Sequence, residues 1–295
     1  MQFSGAFTAL VTPFRNGVVD EEAYRAHIEW QIEQGIDGLV PCGTTGESAT
    51  LSHAEHVQVI KICVEQVKGR VPVLAGAGSN NTTEAIELVR YAKQAKADGA
   101  LLITPYYNKP TQAGLVAHFA AIAREVPMPF IVYNVPGRTS VNLLPQTVAA
   151  MRKMIPEVVG IKEATGNLCQ ISEVIEYCGK DFIVLSGDDF TVLATLAIGG
   201  HGVISVSSNV VPAMMRKLCK AWRMGDLEKA KRLHYKLAPI NRAMFLETNP
   251  IPAKTALGLM GRITPELRLP MVGMSKENEA RLVEILKKSS ILSLG

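Results

Sequence analysis

Residues 130–163 read FIVYNVPGRTSVNLLPQTVAAMRKMIPEVVGIKE, and the two apolar runs that bracket the stretch begin 28 residues apart, at Phe130 and Val158. A strand, a crossover helix and two short loops need about 30 residues, so this stretch has the size of one βαβ unit. Both runs are nearly continuous apolar sequence, as expected of strands buried on both faces of a parallel sheet. Six further runs begin at Gly5, Gly38, Val71, Gly99, Phe182 and Gly202, and the eight starts are separated by 33, 33, 28, 31, 28, 24 and 20 residues. Helix signals fall between them. Ser52 and Glu55 form a capping box behind Leu51, and Asn81 with Glu84 repeats the cap-and-acid spacing. Leu115 to Val126 carries apolar residues at helical spacing and stops before Pro127. Eight such units with right-handed crossovers predict an α/β fold, a closed (β/α)8 TIM barrel. An open doubly wound sheet is the competitor, but the first turn lacks a nucleotide fingerprint.

Past Gly225 no strand pattern recurs. Residues 1–225 are therefore expected to form the catalytic barrel, and 226–295 a small C-terminal helical region. Asp226 can cap a helix running to about Phe245, Pro250 and Pro252 mark a break, and Glu277–Lys288 reads as a terminal helix. Lys229, Lys231, Arg232 and Lys236 read as a solvated helix face.

The chain has 295 residues, 47% hydrophobic and 20% charged, with a mean hydropathy of +0.15, which excludes disorder, collagen and coiled coil. Its 31 basic and 27 acidic residues leave a net charge of +4 with no basic block, against nucleic-acid binding. Phe190–Met215 holds no Asp, Glu, Lys or Arg, yet Gly199, Gly200, Gly202 and Pro212 interrupt it, so a bilayer helix is not expected. The first residues lack the positive charge of a secretory signal. Five scattered cysteines without a C-x-x-C suit reduced thiols in a cytoplasmic protein. The six histidines form no metal-ligand pattern. His53 and His56 share a helix face, but no third ligand is in view and no metal is expected.

In such a barrel the active site gathers where strands end and βα loops begin. Lys162 stands inside a strand, with Val158 and Gly160 expected on its side of the pleat. Burial there would disfavour the ammonium and free a neutral amine to form a Schiff base with a carbonyl substrate. The alternative is a lysine paired with Glu163 or Asp188, although adjacent strand residues face opposite ways, so Glu163 is a poor partner. Tyr133 ends the neighbouring strand, where its phenol can move a proton for that amine. Thr44 and Tyr107 add two hydroxyls, each structural if taken singly. The loop Gly43-Thr44-Thr45-Gly46 can present backbone N–H groups to an anion. A carboxylate suits it better than a phosphate, since no G-K-[ST] follows. Arg138 can clamp a second carboxylate, its alternative being a surface salt bridge.

Three motifs, Gly43-Thr-Thr-Gly-Glu-Ser48, Tyr133-Asn-Val-Pro-Gly-Arg138-Thr and Gly160-Ile-Lys162-Glu-Ala-Thr-Gly, resemble in order and spacing the dihydrodipicolinate synthase family. The likeness runs through essentially the whole chain. It implies condensation of pyruvate with L-aspartate 4-semialdehyde, without a cofactor, in lysine and diaminopimelate biosynthesis. By that resemblance Lys162 forms the imine, while Thr44, Tyr107 and Tyr133 relay protons, Tyr107 from an adjacent subunit. Thr45 holds the pyruvate carboxylate, Arg138 the semialdehyde carboxylate, and the backbones of Gly187 and Ile204 line the pocket. The resemblance further implies feedback inhibition by (S)-lysine at Ser48, Ala49, His53, His56, Asn80, Glu84 and Tyr106, and a homotetramer built as a dimer of dimers. Two other readings stand beside it. One is a related aldolase of the N-acetylneuraminate lyase or 2-keto-3-deoxygluconate type. The other is a barrel that senses pyruvate or lysine without turnover.

Overall fold

All eight apolar runs are strands of one sheet in the computed structural model, which describes residues 3–292. In chain order the strands are β1 (Gly5–Ala9), β2 (Phe14–Arg15), β3 (Val18–Val19), β4 (Gly38–Val40), β5 (Leu74–Gly76), β6 (Gly99–Ile103), β7 (Phe130–Asn134), β8 (Val158–Glu163), β9 (Ile183–Ser186) and β10 (Gly202–Ser205). The sheet runs β4-β1-β10-β9-β8-β7-β6-β5 with parallel pairing throughout. A parallel bridge from Leu39 to Val73 joins its two ends, so the sheet closes into the expected (β/α)8 barrel. β2 and β3 form a separate antiparallel hairpin. Their two-residue strands are too short to leave an alternating pattern.

Side chains from every second position fill the barrel. Phe7, Val40, Leu74, Leu101, Ile131, Leu185 and Ile204 form one buried interior cluster. Phe7 takes the space a side chain at position 38 would need, since a Cβ on Gly38 would lie 2.1 Å from its ring. The opposite faces of the strands pack against the helices.

Helix starts follow local chemistry. Ser52 and Glu55 close a reciprocal capping box ahead of His53–Val67. Asn81 accepts from the Thr83 N–H, but Glu84 completes no box because its carboxylate is drawn to Ser79 and His53. The helix expected from Leu115 begins earlier, at Gln112, because the Thr111 hydroxyl caps it. The charge-free stretch Phe190–Met215 divides into a short helix, β10, a 3-10 turn and the start of helix Pro212–Arg223. Among the described residues no helix is long and apolar enough to cross a membrane.

Asp226 caps helix Leu227–Ala243, and Lys276–Lys288 is the terminal helix. The expected break falls at Met244–Pro250, and Pro252 stands in the first turn of a further helix, Ile251–Leu259, where proline forfeits no helical hydrogen bond. This helix carries Lys254, whose Nζ lies 2.5 Å from the Glu47 carboxylate, both side chains being almost wholly buried. Arg268 donates its backbone N–H to the same carboxylate at 3.2 Å. Its guanidinium pairs with Glu55 and donates to the Thr50 and Gly17 carbonyls. The C-terminal region thereby grips the loop that follows β4.

Removing one partner of a buried ion pair strands the other charge without water. Lys254→Met should therefore lower unfolding stability by about 3–5 kcal/mol, with Glu47→Gln in the same chain restoring part of the loss. Denaturant unfolding of the two variants measures this, and a wild-type midpoint for Lys254→Met would contradict it. Burial also depresses the imidazoles of His27, His56 and His118 to about 4. The unfolded chain, with histidines near 6.5, binds more protons below that value. Their neutral forms thus stabilise the fold fully above pH 6.5, and that contribution fades as pH falls towards 4. The thermal midpoint should decline across this window, and a flat profile would refute the assignment.

Candidate active site

Register decides where the reactive lysine points. Lys162 on β8 pairs with Tyr133 on β7 and with Leu185 on β9. Both partners belong to the interior cluster, so Lys162 faces inward too and is 6% exposed. Its neighbours on the strand differ from simple alternation. Val159 packs on the interior cluster, whereas Val158 and Ile161 face the helices. A register irregularity opposite Phe130 and Ile131 supplies the reason, shifting the pleat by one residue before Lys162.

The Lys162 Nζ stands 4.1 Å from the centre of the Tyr133 ring. Among the described residues no carboxylate lies within ion-pair distance of it. Glu163 turns outward and accepts from Asn134, Gln170 and the Thr165 N–H, while burial pushes its carboxyl above the usual range. Asp188 instead accepts from the Phe190 N–H. Room for the lysine depends on Gly187, where a Cβ would stand 3.0 Å from Lys162 Cε and 2.6 Å from the Ala164 Cβ. Ile204 faces the same interior from β10, opposite Phe7.

Beyond Tyr133 the barrel mouth opens into a cavity of about 410 Å³. Thr44, Tyr133 and Arg138 line it, together with Ser48, Ala49, His53, His56, Glu84 and Tyr106. Lys162 is not among its lining residues; the Lys162 Nζ lies over the ring of Tyr133, which is. In the loop after β4, the N–H groups of Gly46, Glu47 and Ser48 close turns on the Gly43 and Thr44 carbonyls. Those of Thr44 and Thr45 have no acceptor among the described residues, so two donors remain for an anion. Thr45 is buried, and its hydroxyl accepts from Asn249 at 2.9 Å.

Another part of the wall has the opposite character. Glu84 accepts from Ser79 and pairs with His53 Nε2 at 2.7 Å, and both contacts hold its carboxyl below the usual range, Ser79 most strongly. His56, depressed to about 4 by burial, is neutral near pH 7. Asn80 donates to the Tyr106 carbonyl at 3.1 Å. This part of the wall therefore carries a carboxylate, already partnered by His53 and Ser79. Tyr107 is 91% exposed, sits at a left-handed φ of 70°, and does not line the cavity of its own chain. Among the described residues no three His, Cys, Asp or Glu side chains converge as a metal site.

Asn249, Pro250, Pro270 and Met271 also line the cavity and escaped the sequence reading. Of these the sequence singles out only Pro250, as part of a break.

Residues 2–289 match the Dihydrodipicolinate synthetase family. A 4-hydroxy-tetrahydrodipicolinate synthase from Nitratidesulfovibrio vulgaris (strain DSM 19637 / Miyazaki F) is 75% identical over 292 residues, spanning 99% of this chain and 100% of the relative. The chloride inhibited dihydrodipicolinate synthase from Acinetobacter baumannii, solved in complex with pyruvate, is 43% identical with a TM-score of 0.96, over 98% of this chain and 99% of that one. The enzyme from Cyanidioschyzon merolae, solved with lysine bound, is 39% identical with a TM-score of 0.95 over the same shares.

Overpacking at Gly187 gives a direct check on the lysine's seat. Gly187→Ala should cost about 1–3 kcal/mol, because both Lys162 and Ala164 must move. Unchanged thermal unfolding of that variant would show that the contact is not as tight as described.

Proposed function

The chain belongs to the dihydrodipicolinate synthetase family, and from that premise we propose which of its residues carry the reaction. The protein is a lyase that condenses pyruvate with L-aspartate 4-semialdehyde to give 4-hydroxy-tetrahydrodipicolinate. Lys162 is the nucleophile. Its buried position against Tyr133, with no carboxylate within ion-pair distance among the described residues, is the observation that carries this assignment.

The steps follow from an amine meeting a keto acid. The Lys162 nitrogen adds to pyruvate C2, and the carbinolamine loses water to an imine. A C3 proton leaves, and the enamine carbon bonds to the aldehyde carbon, whose oxygen takes up a proton. The amine of the semialdehyde portion then attacks the imine carbon. The ring closes and Lys162 departs as free amine, so one water is released per turnover. Tyr133 and Thr44 move protons at these steps, with Tyr107 reaching in from an adjacent subunit. The exposure of Tyr107 outside its own cavity supports that division. Thr45 and the two unspent N–H groups bind the pyruvate carboxylate, and Arg138 at the cavity wall binds the semialdehyde carboxylate. Gly187 and Ile204 shape the pocket. Arg138 favours an aldehyde that carries a carboxylate over a sugar.

(S)-Lysine is the feedback inhibitor in this reading, its ammonium on Glu84 and its other groups among Ser48, Ala49, His53, His56, Asn80 and Tyr106. A cytoplasmic homotetramer, a dimer of dimers, completes the proposal, because Tyr107 needs a second copy to reach a site.

Tyr133→Phe should lower kcat about 10²–10⁴-fold, the usual contribution of general acid–base help. Unchanged turnover would remove the phenol from the mechanism. Titration with (S)-lysine should reduce wild-type activity, and Glu84→Gln should blunt the response. A flat wild-type titration would refute the inhibitory site.

A further inference from the structure

Asn249 belongs to the C-terminal region, yet it touches both groups assigned to substrate carboxylates. Its side-chain Nδ2 donates to Thr45 Oγ1 at 2.9 Å, and its backbone carbonyl accepts from Arg138 Nη2 at 3.2 Å. The residue is buried and lines the cavity. One helical turn on, Lys254 donates its N–H to the Pro250 carbonyl and anchors its ammonium on Glu47, at the foot of the loop bearing Thr45. Asn249 and the helix after it are thus both tied to that loop.

A hydroxyl has one proton to give and two lone pairs to fill. Asn249 fills a lone pair of Thr45, which turns the hydroxyl proton elsewhere. Among the described residues no acceptor stands within reach of that proton. We propose that Asn249 is a positioning residue that sets Thr45 as a hydrogen-bond donor to the keto-acid carboxylate, while its carbonyl holds Arg138 at a fixed distance for the second carboxylate. The inference rests on the reading in which Thr45 binds pyruvate.

The test compares steady-state constants for Asn249→Asp, Thr45→Val and the double variant, using the full-length enzyme. An aspartate has the shape of asparagine but accepts the Thr45 proton, reversing the hydroxyl. Asn249→Asp should raise the pyruvate KM about 10–100-fold, the worth of a hydrogen bond to a charged group, with a much smaller change in kcat. On the Thr45→Val background the same substitution should act several-fold less, because no hydroxyl remains to turn. Equal factors on both backgrounds, or no rise in KM on either, would overturn the inference while Thr45→Val alone still raised KM. If Thr45→Val itself leaves the pyruvate KM unchanged, the reading of Thr45 as a pyruvate ligand falls, and this inference with it. Should the buried aspartate prevent folding, Asn249→Leu replaces it. A KM rise confined to the Thr45 background then supports the proposal, and an equal rise on both backgrounds overturns it.

Discussion

A side chain on a barrel strand faces either the closed interior or the surrounding helices, and β8 presents Lys162 to the interior. That choice is made by hydrogen-bonded register, which aligns Lys162 with Tyr133 and Leu185 in one layer. Everything chemical follows from it. The amine is shielded from bulk water, a phenol ring covers it, and Glu163, one residue on, is consigned to a polar network outside the barrel. A one-residue slip of β8 would exchange the two, placing an acid in the pocket and a lysine among the helices. The irregularity opposite Phe130 and Ile131 is consequently part of the active site, since the alternation before it would have run the other way.

The cavity above this layer is lined by groups of both signs. Its lining includes donors, namely the Arg138 guanidinium and the spare N–H group of Thr44. It also includes the Glu84 carboxylate, paired with His53, beside a His56 that is uncharged near neutral pH. The segment Ser48–Thr50 lines the cavity, follows Glu47, which Lys254 and Arg268 hold, and has its Thr50 carbonyl bonded to Arg268.

Much of this was legible in the sequence because it is local or periodic. Eight apolar runs spaced as βαβ units suit strands buried on both faces of a parallel sheet, and all eight are strands. The capping box at Ser52 and the cap at Asp226 depend on residues three apart. Lys162, Tyr133 and Arg138 stood out as polar residues at strand ends. What stayed hidden joins distant segments. Asn249 and Thr45 are 204 residues apart, and Lys254 and Glu47 are 207 apart, so no window of sequence contains either pair. Pro252 misled for a related reason, since a proline in a helix's first turn reads the same as one that ends a helix. The tail therefore contributes to the catalytic end of the barrel through contacts its own composition does not announce.

The most direct measurement of the central claim is mass spectrometry of the enzyme reduced with borohydride in the presence of pyruvate. A Schiff base at Lys162 predicts a stable adduct on the peptide containing Val158–Glu163, and its loss in Lys162→Ala. No adduct in the wild type, or the same adduct in Lys162→Ala, would contradict the account.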